Sequence, residues 1–92
     1  DDWDSVRIFL EVARTGSFRA AAEHLGLSAG YLRKRVQLLE STYRTTLLTR
    51  HVDGRLTPEG RQVIAAAARM EEASFELRRA FSRNAPNLSG EV

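Results

Sequence analysis

Residues 28–40 read SAGYLRKRVQLLE and set Arg33, Lys34 and Arg35 in direct succession inside an otherwise apolar helical repeat. Cations in such a row can hold phosphate oxygens or reach the acceptor-rich edge of guanine, and an arginine fork can do either with two parallel hydrogen bonds. A charge run is more often a solvated helix face. Its surroundings favour a nucleic-acid footprint here: Arg33, Lys34, Arg35, Arg44, Arg50 and Arg55 fall between residues 33 and 55 against only Glu40 and Asp53. The net charge of +2 is modest, so the middle of the chain is its basic part.

Other chemistry finds little to stand on. His24 and His51 lie far apart in the chain, there is no cysteine, and no carboxylates pair at metal-ligand spacing. Each histidine therefore reads as a surface or structural residue, and Glu71 and Glu72 read as a solvated helix face. With no glycine-rich phosphate loop, the chain is expected to be no enzyme and to carry no cofactor or metal. Its 92 residues suit one small core. No apolar run approaches the ~20 residues of a bilayer span, and no targeting segment is visible, so a soluble cytoplasmic protein with no membrane partner is expected.

The elements that must position the basic residues follow from spacing. Val6, Phe9, Leu10 and Ala13 repeat on one face of a helix over residues 4–15, stopped by Gly16. Ser17 caps a short second helix with Phe18, Ala21, Ala22 and Leu25 as its apolar stripe and Gly26 at its end. Ser28 caps a third, running to about Tyr43, whose inward arc is Leu32, Val36, Leu39 and Tyr43. At 100° per residue Lys34 points away from that arc with Gly30 and Gln37 beside it, while Arg33 lies on one flank and Tyr31 and Arg35 on the other. The basic residues thus do not interrupt the core.

Beyond Tyr43, TTLLTR and RLT flank an Asp53-Gly54 turn and predict a two-stranded β-hairpin. Thr57, Pro58 and Glu59 then supply a cap, a first-turn proline and a first-turn acid for a helix extending to about Asn84. The expected fold is mainly α: a winged helix-turn-helix with a three-helix core and a hairpin wing over 1–57, a long linker helix over 58–84, and a hinge or flexible end over 85–92. On the linker helix Val63, Ala67, Met70, Ser74, Leu77 and Phe81 recur in steps of four and three, the pattern of a two-stranded seam, which points to a homodimer. Within the hairpin Arg50, His51 and Arg55 converge on one tip that could follow a DNA backbone or probe a minor groove.

FLEVARTGSFRAAAEHLGLS, LRKRVQLLE, LLTR and RLTPEG, in that order, resemble the N-terminal DNA-binding domain of the LysR-type bacterial transcriptional regulators, over residues 3 to about 84. The resemblance implies a module that dimerises through its linker helix, binds interrupted palindromes in promoter DNA, and usually precedes a larger sensor domain. Because the chain stops at NLSGEV and starts without methionine, the resemblance implies either a regulator cut down to its DNA-binding part or a naturally short protein, with any small-molecule effector acting through a sensor domain absent here. The DNA-facing residues expected on these combined grounds are Ser17, Arg19, Ser28, Ala29, Gly30, Tyr31, Arg33, Lys34, Gln37, Arg50, His51 and Arg55. Departures cluster among them. The family commonly has glutamine and then proline or serine where this chain has Ala29 and Gly30, a later serine and arginine at Arg33 and Lys34, a small residue at Tyr31, and glycine at Arg44. The competing expectation is a coiled-coil dimer that binds a protein instead of DNA.

Overall fold

The computed structural model describes residues 2–49 and 55–84. Four helices follow one another: α1 (Asp2–Thr15), α2 (Phe18–Leu25), α3 (Ala29–Tyr43) and α4 (Pro58–Asn84). Asp2 and Asp4 in the first turn of α1 and Arg14 in its last complement the helix dipole, and the helix starts two residues earlier than its apolar repeat alone predicts. Ser17 and Ser28 cap α2 and α3 as expected, each hydroxyl accepting from the amide three residues on, at 3.0 and 3.1 Å. Gly26 ends α2 in the left-handed region at φ 70°, and Leu27 N donates to Ala22 O, which closes the short turn into α3.

The core is where three helices meet. Phe9 and Val12 of α1, Ala21 and Ala22 of α2, and Leu32, Val36 and Leu39 of α3 are buried together with Leu47 and Leu48 of the segment after α3. The alanines of α2 let the neighbouring helices approach closely, and each large apolar side chain withdrawn from water contributes roughly 1.5–3 kcal/mol. The first half of α4 closes one side: Ala67 is buried, Val63 and Ile64 pack against the core, and Arg14 of α1 donates to Glu71 at 2.7 Å. Glu71 is therefore half-buried in an ion pair, not part of a solvated face; Glu72 is exposed as expected.

One further expectation needs correction, and another is not confirmed. Tyr43, placed on the inward arc of α3, is exposed; it sits in the last turn, past the core layer, and its hydroxyl donates to Asp2. The two-stranded wing is not confirmed: the described residues contain no strand, only one antiparallel bridge between Leu48 and Leu56. Thr49 N donates to Arg55 O at 2.8 Å and Thr57 N to Leu47 O at 3.0 Å, so the arms do approach each other. The amides of Leu47 and Leu48, however, both donate to the Glu40 carboxylate, at 2.8 and 3.1 Å, so this arm is tied to α3 instead of extending a ladder. The Asp53-Gly54 turn lies outside the described residues.

Candidate nucleic-acid interface

On α3 the face opposite Leu32, Val36 and Leu39 carries Gly30, Tyr31, Arg33, Lys34 and Gln37, all exposed. Nothing lies within 4 Å of where a Gly30 side chain would begin, so packing does not demand glycine and the backbone there is open to close approach. Ala29 differs from its exposed neighbours. It is half-buried and packs on the hydrophobic core, which leaves its backbone more than its methyl group available to a ligand.

The three consecutive cations have three different environments. Arg33 lies over the ring of Phe18 with its guanidinium carbon 5.0 Å from the centroid, so it is drawn toward the start of α2 and the neighbouring Ser17 and exposed Arg19. Arg35 turns back toward α1 and donates to Ser5 Oγ and, at 2.6 Å, to the Tyr31 hydroxyl. Lys34 remains exposed between them with Gln37 one turn further along the helix.

Arg33 thus lies against Phe18 at the start of α2, the residue between Ser17 and Arg19, while Tyr31, Lys34 and Gln37 are exposed on α3. Arg55 is exposed on the arm entering α4. Arg50 and His51 lie outside the described residues. Each capping serine hydroxyl accepts from one helix amide, and its O–H remains able to donate.

Sequence reasoning left out the supports of this surface. Ser5 is almost fully buried and gives no charge or pattern signal of its own. The Tyr31–Arg35 pair is an i,i+4 relation on one helix and could have been recognised from spacing. Glu40, the anchor of the segment leading to Arg55, stood only as an isolated acid among cations.

Ion pairs elsewhere are structural. The hydrogen bond from Arg14, helped by its charge and that of Arg7, holds the Glu71 carboxyl below the usual glutamate range against the opposing effect of burial. Exposed His24 pairs with Glu11. Among the described residues no group of three His, Cys, Asp or Glu side chains could hold a metal ion, and no helix is long and apolar enough to cross a membrane.

Comparison with known proteins agrees with this geometry. Residues 3–61 match the model of the bacterial regulatory helix-turn-helix proteins of the lysR family. The chain is 41% identical over 58 residues to the HTH-type transcriptional activator TtdR of Escherichia coli K12, covering 62% of this chain and 19% of that protein. An uncharacterized HTH-type transcriptional regulator of Azotobacter vinelandii is 36% identical over 92 residues, covering 99% of this chain and 61% of the relative. Among solved structures, a BenM_DBD/benA site 1 DNA complex superposes with a TM-score of 0.85 at 26% identity, covering 90% of this chain and 98% of that one. The chain spans about a fifth of the length of TtdR.

Proposed function

We propose, from the premise that this chain belongs to the lysR family of bacterial regulatory helix-turn-helix proteins, that it binds promoter DNA sequence-specifically as the DNA-reading part of a transcriptional regulator. The observation that carries this reading is the outer face of α3, where Tyr31, Lys34 and Gln37 stand exposed on a helix whose opposite face is locked into the core. Laid in a major groove, that face brings Lys34 and Gln37 to base edges. Arg33, Arg19 and the hydroxyls of Ser17 and Ser28 meet the sugar-phosphate backbone around the start of α2 and α3. The backbone at Ala29 and Gly30 approaches closely, and Arg55, with Arg50 and His51 of the expected wing, follows the flanking backbone or minor groove.

The working unit is a homodimer through the linker helix, residues 58–84, acting in the bacterial cytoplasm. Its exposed Met70, Leu77 and Phe81 support this, because a helix running past its own core leaves that stripe to a partner. Leu77→Glu should shift a dimer toward monomer in sedimentation while helix content is kept, since a charge in an apolar seam is costly.

A salt-titrated mobility shift with promoter fragments tests the DNA reading. Specific duplex should be preferred over random duplex by about 1,000-fold or more, with affinity falling as salt rises. Equal binding to all duplexes, or none, would favour the protein-interaction module that the same apolar stripe on α4 could serve.

A further inference from the structure

Leu38 is a large apolar side chain on the surface of α3, 59% exposed, and neither the core nor a cap of the helix accounts for it. At 100° per residue it falls about 40° from Lys34 on one side, while Gln37 falls about 60° from Lys34 on the other. The outer face of α3 is therefore divided lengthwise. One flank carries the amide of Gln37; the other carries Leu38 and, seven residues earlier, the 43% exposed ring of Tyr31. Lys34 stands between the flanks, one helical turn before Leu38 and in reach of it.

A lone exposed leucine is ordinary on a protein surface. This one shares its flank with an aromatic ring that is held in place. Arg35 donates Nη1 to the Tyr31 hydroxyl at 2.6 Å, lies 5.6 Å from the ring centre, and is itself tied to Ser5 of α1. Leu38 and Tyr31 thus form an apolar border along a face whose middle is a cation.

We propose that this border reads thymine, with Leu38 packing on the C5-methyl group of the base and Lys34 donating to the O4 beside it. This rests on the DNA reading above and deepens it by naming the base that one flank recognises. In the major groove thymine alone offers a methyl group, and it sets that methyl next to an acceptor. A donor one turn from an exposed apolar side chain matches that edge. Cytosine would turn its N4 donor toward Lys34 and offer nothing to Leu38; guanine would satisfy Lys34 and leave Leu38 in water. Tyr31 lies two turns, about 10.5 Å, from Leu38 along the helix axis, so its ring faces a different base pair and covers a second methyl group there.

Selection on randomised half-sites with the 92-residue chain supplies the duplex for the test. Each thymine is then replaced singly by uracil, which removes the methyl group and keeps the hydrogen-bonding edge. At least one position per half-site should bind about fourfold more weakly, the worth of one buried methyl group. Leu38→Ala changes an exposed helix position where alanine favours folding. It should bind the thymine duplex about fourfold more weakly than the parent and no longer distinguish uracil from thymine at one of the sensitive positions. Equal binding of thymine and uracil throughout, a selected half-site without thymine, or full discrimination retained by Leu38→Ala would each overturn the assignment while leaving the DNA reading intact. A selection that enriches no duplex would instead remove the DNA reading, and this assignment with it.

Discussion

Arg35 grips Ser5 with two donors at once: its Nε and Nη2 lie 3.1 and 2.8 Å from the single Ser5 Oγ. The same guanidinium donates Nη1 to the Tyr31 hydroxyl and lies 5.6 Å from the centre of that ring. A buried serine of α1 thereby sets the position of an exposed aromatic on the outer face of α3. Arg35, the last member of the basic run, is therefore a structural tie and not a free cation.

Ser5→Ala removes the acceptor at the root of this chain. Arg35 is only half-buried and can swing into water, so the cost should be about 1–2 kcal/mol, less than that of a stranded buried charge. Denaturant unfolding measures it. On DNA the variant should bind with nearly unchanged salt dependence but looser base preference, because Tyr31 loses its fixed position. An unchanged preference in selections on randomised half-sites would show that the ring takes no part in reading.

Gly60→Ala opposes two effects of unequal size. Helix propensity favours alanine by ~1 kcal/mol. Yet a Cβ at this position would stand 2.2 Å from the carbonyl oxygen of Leu47 and 3.3 Å from Leu56 Cδ2, and the first is backbone held by Thr57 N. Separating them shifts the arm that Glu40 anchors, so the net effect should be destabilisation of about 2 kcal/mol or more. Thermal unfolding would report a lowered Tm; a raised one would mean that the α4 start and the arm part easily.

The fold was legible where residue type and period agree. Ser17, Ser28 and the Thr57-Pro58-Glu59 start announced three helices through cap chemistry that acts within a few residues, and the inward arc of Leu32, Val36 and Leu39 followed from spacing alone. What failed was tertiary. Helical period placed Tyr43 inward without knowing that the core ends one turn earlier. In the same way the four-and-three stripe of α4 gave no sign that Ala67 is already covered by its own chain. The exposed outer face of α3 was visible from the sequence; the contacts that Ser5 and Phe18 make with Arg35 and Arg33 were not, because they span elements.

Arg44 supplies a stabilising change. It closes α3 in the left-handed region, φ 52° and ψ 44°, with its amide donating to Ser41 O and the Thr45 amide to Glu40 O, a terminator that usually employs glycine. An L side chain costs roughly 1–2 kcal/mol there, against ~0.5–1 kcal/mol of extra chain entropy that glycine brings to the unfolded state. Arg44→Gly should therefore gain about 0.5–1 kcal/mol and raise the Tm by several degrees in a chain this short. No gain would mean that the Arg44 side chain itself contributes contacts of similar worth.

The Arg14–Glu71 pair should show itself through pH. Because the folded Glu71 carboxyl titrates below its ordinary range, its contribution is present above that range and is lost as pH falls through the lowered folded value. Both side chains remain partly solvated, so Glu71→Gln should cost only about 0.5 kcal/mol near neutrality. The difference between parent and variant should close in acid. A gap that persists below the carboxylate range would assign the effect to packing.

Lys34 and Arg33 are adjacent in sequence and should divide the work of binding between them. Arg33 is held over Phe18 at the corner where α2 begins, a place that suits a phosphate. Lys34 projects, exposed, from the face opposite Leu32, Val36 and Leu39. Lys34→Ala should therefore cost ~1–3 kcal/mol on the best operator and relax preference at one base pair per half-site. Arg33→Ala should weaken all duplexes alike and reduce the salt slope by about one phosphate contact per subunit. Tyr31, fixed by Arg35, is bulky enough to tilt α3 in the groove and exchange these roles. Selections with both variants on randomised half-sites decide the matter: uniform loss for Lys34→Ala together with relaxed preference for Arg33→Ala would reverse the assignment and make Arg33 the reader.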